Sequence, residues 1–147
     1  MTTFVLFGGT GDLAKRKIIP ALYSAFVNGR LDPEFSFIGA AREALSDDDF
    51  RTRVAASIET YAAKANGTPE QLAAFLALTG YSKIDAKVPG DFDALKARVN
   101  ADTTKAKLFY LAIGPDIFIP VVEQLSKHGL VEGNARVVVE KPLGRDA

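Results

Sequence analysis

The sequence predicts an α/β domain whose core is a doubly wound parallel sheet. Along all 147 residues, short β-prone runs alternate with segments that carry apolar side chains at helical spacing. The first run, residues 3–7, is continuously β-prone, as expected for a strand buried on both faces of a parallel sheet. A cluster of glycines follows it, where the first strand passes into the first helix. Strands separated by helices connect through crossovers, which produce parallel strands with helices on the faces of the sheet.

The first third of the chain predicts two strands with a helix between them. Apolar side chains at helical spacing cover residues 12–28, and Gly29 is suited to end that helix. Pro20 lies inside the helix, and its missing N–H predicts a kink or a restart at that point. The next β-prone run, residues 35–39, is predicted to be the second strand.

The middle third predicts three helices and a weaker strand. Ser46 and Asp49 have the spacing of a capping box, which predicts the start of a long helix that ends near residue 65. Beyond it the pattern predicts three further elements: a helix over 70–78, a strand over 81–84 and a helix over 92–99.

The last third has the clearest pattern. A strand is predicted over 107–113, a helix from Asp116 to near His128, and a fifth strand over 136–139. No repeat, low-complexity tract or domain-sized linker interrupts the alternation. Residues 1–147 are therefore predicted to form one domain.

Composition excludes several classes of function. The formal net charge is zero, so no broad electrostatic field favours nucleic acid or an acidic membrane surface. The absence of cysteine excludes disulfides, thiolate metal sites and a cysteine nucleophile. No apolar run has the length of a signal segment or a membrane span. We therefore expect a soluble, cytoplasmic protein with no nucleic acid, membrane or metal among its partners.

The glycine cluster is the strongest functional signal. Gly8 suits a tight turn after the first strand, and Gly11 allows phosphate oxygens to approach the helix N-terminus without meeting a Cβ. Ala14 keeps the helix close to the sheet, and the spacing from Gly9 to Ala14 fits the dinucleotide pattern G-x-G-x-x-A. These residues predict a phosphate-binding turn, with a tight turn that binds no ligand as the alternative.

The residue after the second strand bears on which nicotinamide coenzyme binds. An acidic residue there accepts hydrogen bonds from a ribose 2′-hydroxyl, whereas arginine accommodates a 2′-phosphate. Arg42 therefore favours NADP, because its planar guanidinium suits phosphate and stacks on adenine. The adjacent Glu43 favours NAD if it reaches the ribose, and a solvated Arg42–Glu43 pair is the alternative without a ligand. We expect NADP.

Lys141 lies at the carboxyl end of the fifth predicted strand and is expected to face the same crevice. Pro142 restricts Lys141 to extended conformations, and the bond between them is of the type that can be cis. A fixed ammonium group there would bind substrate oxygens at the nicotinamide end. The alternative is a surface lysine that ends the strand.

Other polar residues are expected to be structural. Residues 15–17 are basic and are predicted to lie mainly on a solvated helix face. His128 is the only histidine, and it is predicted at a helix C-terminus, away from the crevice.

Together these residues resemble the N-terminal coenzyme domain of the glucose-6-phosphate dehydrogenase family. Residues 8–15 match the family pattern G-x-x-G-D-L-A-[KR], and residues 140–144 match E-K-P-[FL]-G. Shorter matches at 17–20, 38–42 and 109–112 lie in the family's order, so the resemblance spans nearly the whole chain.

The resemblance implies a Rossmann-type coenzyme domain of an enzyme that oxidises D-glucose 6-phosphate with NADP to 6-phosphogluconolactone, at the entry to the pentose phosphate pathway. Residues 8–15 would form the pyrophosphate loop, and Arg42 would bind the 2′-phosphate and the adenine. Lys141 would contact both the nicotinamide end and the sugar phosphate of the substrate, beside a cis Pro142. The residues implied in coenzyme binding are Gly8, Gly9, Thr10, Gly11, Asp12, Leu13, Ala14, Lys15, Arg42, Asp85, Ala86 and Lys141, with Asp85 and Ala86 as a loose match near the adenine.

The family's substrate segment and its histidine general base match no residue of this sequence. We therefore expect an N-terminal fragment or isolated coenzyme domain, without the C-terminal substrate and dimerisation domain, that binds NADP weakly and turns over no glucose 6-phosphate. Homo-oligomers are expected only where that second domain is present. Two alternatives stay open: a dehydrogenase of the glucose–fructose oxidoreductase type, and a free-standing NADP-binding module without enzymatic activity.

Overall fold

A computed structural model describes residues 2–32, 34–99 and 106–139. Five parallel strands form one sheet in the order β3-β2-β1-β4-β5. Their bounds are β1 (Thr2–Phe7), β2 (Ser36–Ala41), β3 (Thr79–Lys83), β4 (Ala106–Leu111) and β5 (Ala135–Val139). The order reverses at β1, which pairs with β2 on one side and β4 on the other. The carboxyl ends of β1 and its neighbours therefore meet where a doubly wound sheet binds its ligands.

Within the described ranges, five α-helices connect these strands, and each of the ten predicted elements is present. The helices are α1 (Ile19–Val27), α2 (Asp47–Tyr61), α3 (Pro69–Ala77), α4 (Pro89–Val99) and α5 (Pro115–Lys127). A π-helical turn, Ala14–Ile18, precedes α1, and a 3₁₀ turn, Ala63–Ala65, follows α2.

The helices cover both faces of the sheet, as the prediction of a doubly wound fold requires. One cluster of buried side chains joins α1, α2 and α3 to the face that presents Leu6 and Phe37. The other joins α4 and α5 to the face that presents Val5 and Phe109. Because β1 contributes to both clusters, the strand that leads into the glycine loop is held from both sides.

Pro20 produces the predicted restart of the first helix. The backbone N–H of Ile19 donates to the carbonyl of Ala14, five residues back, and regular α-helix begins with Pro20 in its first turn. The predicted capping box of α2 is also present: the Asp49 N–H donates to the Ser46 hydroxyl at 3.0 Å, and the Ser46 N–H donates to the Asp49 carboxylate at 3.3 Å.

The third strand begins two residues earlier than predicted. Thr79 is buried and pairs in register with Phe37, and its hydroxyl donates to the Phe75 carbonyl at 2.9 Å. Neither Thr79 nor Gly80 is apolar, so hydrophobic patterning did not detect them as strand residues. Within the described ranges, no helix combines the length and the hydropathy that a membrane span requires.

Candidate functional site

The backbone makes the predicted tight turn at Gly8, directly after β1. Gly8 has a φ of +83°, and a Cβ there would lie 2.2 Å from the carbonyl oxygen of Ala112. Its N–H donates to the Ala40 carbonyl at 2.8 Å. The turn is thus wedged between the ends of β2 and β4, and the position requires glycine for both its backbone conformation and its contacts.

The rest of the glycine loop opens a helix. Gly9 is buried, and a Cβ there would lie 3.1 Å from the Cα of Gly39. Gly11 is exposed; its N–H donates to the Gly8 carbonyl at 2.9 Å, and its own carbonyl accepts from the Lys15 N–H at 3.1 Å. Helical backbone begins at Asp12, so the first-turn amides have no partner of their own helix to donate to. An anion outside the loop would meet N–H donors and the positive end of the helix dipole.

The side chains of this first turn divide between the core and solvent. Ala14 is fully buried against the sheet, and Leu13 is partly buried. Asp12 is exposed and accepts a hydrogen bond at 2.8 Å from Arg16. Lys15 is also exposed, as predicted for the basic residues of this segment.

A second helix supports the glycine loop from behind. The Ser57 hydroxyl of α2 donates to the Lys15 carbonyl at 2.5 Å, and Ser57 is only 2% exposed. In a π-helical ladder, the N–H of residue 20 would donate to that carbonyl, but Pro20 has no N–H. Sequence reasoning missed Ser57, although the position of Pro20 indicates a carbonyl that needs another donor.

The end of β2 places Arg42 and Glu43 in different environments. Within the residues that the structure describes, the exposed Arg42 guanidinium has no hydrogen-bond or ion-pair partner. Glu43 instead forms a bidentate pair with Arg53 of α2, at 2.6 and 3.0 Å. The surface pair between Arg42 and Glu43, considered above as the alternative without a ligand, is therefore not formed.

Hydrogen bonds keep the Glu43 carboxylate charged. The hydrogen bond from Arg53 lowers the pKa of Glu43, and the hydroxyl of Thr10 lowers it further. Thr10 belongs to the glycine loop, so this pKa effect reflects how closely the loop approaches the segment after β2.

Tyr81 of β3 fixes the backbone of the same segment. Its hydroxyl lies 2.5 Å from the carbonyl oxygen of Glu43 and 3.1 Å from that of Ala41, which places it as a donor to both. Burial raises the pKa of Tyr81 to about 12, so the phenol stays protonated at neutral pH. Arg53 and Tyr81 are thus two further residues of the site that the sequence alone did not reveal.

Asp85 and Ala86 follow β3, on the far side of β2 from the glycine loop. The Ile84 N–H donates to the Ala41 carbonyl at 2.8 Å, which ties this segment to the end of β2. The Asp85 carboxylate accepts from the Lys87 N–H at 2.9 Å, while Ala86 packs partly buried on the core. The Asp85 side chain therefore shapes a turn at the same edge of the sheet.

Lys141 and Pro142 lie outside the described residues, so the predicted substrate contact and the cis bond remain predictions. His128 does lie at the opposite edge of the sheet, at the end of α5. Its Nδ1 is 2.8 Å from the Gln124 carbonyl, and its Nε2 is 3.1 Å from the Asp93 carboxylate.

Comparison with known proteins identifies the family. Glucose-6-phosphate 1-dehydrogenase of Rhizobium meliloti is 37% identical over 143 residues, which are 97% of this chain and 29% of that protein. The enzyme of that name from Leuconostoc mesenteroides is 32% identical, over 97% of this chain and 30% of its own length.

Solved structures agree with these relatives. Glucose-6-phosphate 1-dehydrogenase from Mycobacterium avium superposes with a TM-score of 0.84 at 29% identity, over 97% of this chain and 30% of that one. A glucose-6-phosphate dehydrogenase in complex with its substrate glucose-6-phosphate gives 0.84 at 34% identity, over 97% and 31%. The family model described as "Glucose-6-phosphate dehydrogenase, NAD binding domain" matches residues 5–147. The chain belongs to the family of glucose-6-phosphate dehydrogenase NAD-binding domains.

Proposed function

We propose that this chain binds NADP at the carboxyl edge of its sheet, as the coenzyme domain of a glucose-6-phosphate dehydrogenase. The observation that carries the proposal is the contrast between two neighbouring residues. Among the described residues, the exposed guanidinium of Arg42, directly after β2, has no partner, while the Glu43 carboxylate is paired with Arg53. The side chain suited to a 2′-phosphate is available, and the side chain suited to a ribose 2′-hydroxyl is engaged elsewhere.

The residues present fit a dinucleotide. Gly8 lets the loop pass close to Ala112, and a Cβ at Gly11 would meet only the Gly8 carbonyl oxygen, at 3.2 Å. The amides at the start of the helix after Gly11 would hold the pyrophosphate, and Arg42 would hold the 2′-phosphate. Asp85 and Ala86, beyond β2, would line the adenine end. When bound, NADP supplies the hydride acceptor.

The substrate side of the proposal rests on the family. The proposed reaction of the whole enzyme moves a hydride from C1 of glucose 6-phosphate to the coenzyme and the proton of the C1 hydroxyl to a base, leaving the lactone carbonyl. Lys141 is proposed to contact the sugar phosphate. Proton removal requires a positioned general base, and no residue of the sequence matches the family's histidine. We therefore propose that the chain alone binds NADP and does not oxidise the sugar.

Calorimetric titration of the chain with NADP and with NAD tests this proposal. NADP should bind more tightly, and Arg42→Gln should reduce NADP affinity by roughly tenfold or more, since a charge-assisted phosphate contact contributes about 1.5–3 kcal/mol. Arg30→Gln is the matched control, because Arg30 is an exposed arginine between α1 and β2, at the opposite edge of the sheet. Equal affinity for the two coenzymes would overturn the assignment of Arg42, and oxidation of glucose 6-phosphate by the chain alone would overturn the expected inactivity.

A further inference from the structure

We propose that Arg53 is a positioning residue that determines the preference for NADP over NAD by neutralising and holding the Glu43 carboxylate. The inference rests on the proposed function, since it concerns the same coenzyme edge. It assigns a specificity role to a residue of α2 that need not touch the coenzyme itself.

The contact geometry carries the inference. Glu43 follows Arg42 directly at the end of β2, and both of its carboxylate oxygens accept from the two terminal nitrogens of Arg53, at 3.0 and 2.6 Å. A bidentate pair of this kind fixes the plane and the direction of the carboxylate. The Tyr81 hydroxyl holds the Glu43 carbonyl as well, so backbone and side chain are both restrained.

The pair contributes little to folding. The side chains of Arg53 and Glu43 are 47% and 48% exposed. Exposed ion pairs contribute little to stability, so the main consequence of this contact lies in the local charge and not in the stability of the domain.

That charge acts on the two coenzymes in opposite directions. With Arg53 in place, the three side chains of Arg42, Glu43 and Arg53 together carry one positive charge toward a 2′-phosphate, which carries about −1.5 to −2 charges at neutral pH. Without Arg53, an anionic and less restrained Glu43 would lie beside Arg42, where it would compete for the guanidinium and repel the phosphate. The same free carboxylate would accept a hydrogen bond from the 2′-hydroxyl of NAD.

A double-mutant cycle at low ionic strength tests the inference, with the ratio of the NAD and NADP dissociation constants as the readout. Arg53→Gln should lower this ratio by roughly three- to tenfold. Adding Glu43→Gln should restore the ratio to within about twofold of the unchanged chain, because no carboxylate is left to repel the phosphate. Arg53→Lys, which keeps the positive charge, should retain most of the ratio found in the unchanged chain. Arg30→Gln controls for the loss of one distant positive charge, and a thermal unfolding curve for each variant verifies the fold.

The outcomes separate this inference from the proposed function. If Arg53→Gln weakens both coenzymes equally, or if Glu43→Gln does not rescue it, Arg53 is merely structural and the inference is wrong. If the unchanged chain prefers NADP and loses that preference in Arg42→Gln but not in Arg53→Gln, the proposed function stands and the inference fails. If the unchanged chain shows no preference, both fail.

Discussion

The buried hydroxyl of Ser57 donates a hydrogen bond to the carbonyl oxygen of Lys15 across 42 residues of sequence. Lys15 lies in the π-helical turn that follows the glycine loop, and the N–H that this ladder would require at residue 20 is missing because residue 20 is proline. Ser57 therefore replaces a donor that the sequence of the first helix lacks. Through this bond, α2 anchors the helix start that faces the proposed pyrophosphate site.

Replacing Ser57 by alanine should lower the free energy of unfolding by about 1–3 kcal/mol, because the Lys15 carbonyl loses the donor that the buried Ser57 hydroxyl supplies. Urea denaturation measures the difference. Thr52→Val is the control, since Thr52 is an exposed residue of the same helix whose hydroxyl donates to the Asp48 carbonyl at 3.0 Å. Its cost should stay near 0.5 kcal/mol or below. An equal loss of unfolding free energy in the two variants would contradict a stabilising role for the hydrogen bond to Lys15.

Alanine substitutions at Gly8 and Gly29 distinguish the cost of backbone strain from the cost of a steric clash. Both have positive φ, +83° and +70°, but a Cβ at Gly8 would strike the Ala112 carbonyl oxygen, whereas a Cβ at Gly29 would meet nothing within 4 Å. Gly29→Ala should therefore cost about 1–2 kcal/mol for the left-handed conformation alone. Gly8→Ala should cost at least about 2 kcal/mol more, since the backbone must also move. Thermal or urea unfolding of both variants checks this, and similar losses would contradict the close contact.

Stability should fall at alkaline pH through Tyr81. Its folded pKa of about 12 lies above the ordinary value of 10.0, so the native state holds this proton more tightly than the unfolded chain does. The contribution of protonated Tyr81 to the unfolding free energy is complete below pH 10 and is lost as the pH rises from about 10 to about 12. Tyr81→Phe should flatten this part of the pH profile of the unfolding free energy, measured by urea denaturation.

At neutral pH, Tyr81→Phe should also cost about 1–2 kcal/mol, because two backbone carbonyls lose a shared donor. Tyr61→Phe is the control for removing a phenol, since Tyr61 is 38% exposed at the end of α2. A Tyr81→Phe profile that is parallel to that of the unchanged chain between pH 10 and 12 would contradict the account of this residue.

Local patterns in the sequence were sufficient for the fold and for the backbone of the candidate site. The β-prone run before Gly8 and the capping box at Ser46 are signals within a few residues, and the structure contains both elements. The third strand was misplaced by two residues because Thr79 is held by pairing with Phe37, which lies 42 positions earlier.

The side chains that complete the site were not predictable in the same way. Arg53 reaches Glu43 across ten residues, and Tyr81 reaches the Glu43 carbonyl across 38, from a different strand. Such contacts depend on where the sheet brings α2 and β3, and no spacing rule encodes them. The sequence indicated that Arg42 and Glu43 compete, but only the tertiary contacts of Glu43 reveal which of the two is available.

A heteronuclear NMR titration of the backbone amides with NADP tests most directly whether the glycine loop and the end of β2 bind this coenzyme. The resonances of Gly9, Gly11 and Arg42 should shift together with one dissociation constant, while those of Gly29 and Gly129, at the opposite edge, should stay in place. NAD should shift the loop resonances at higher concentration and leave Arg42 less affected. Saturable binding of NADP that leaves Gly11 and Arg42 unshifted would contradict the proposed site.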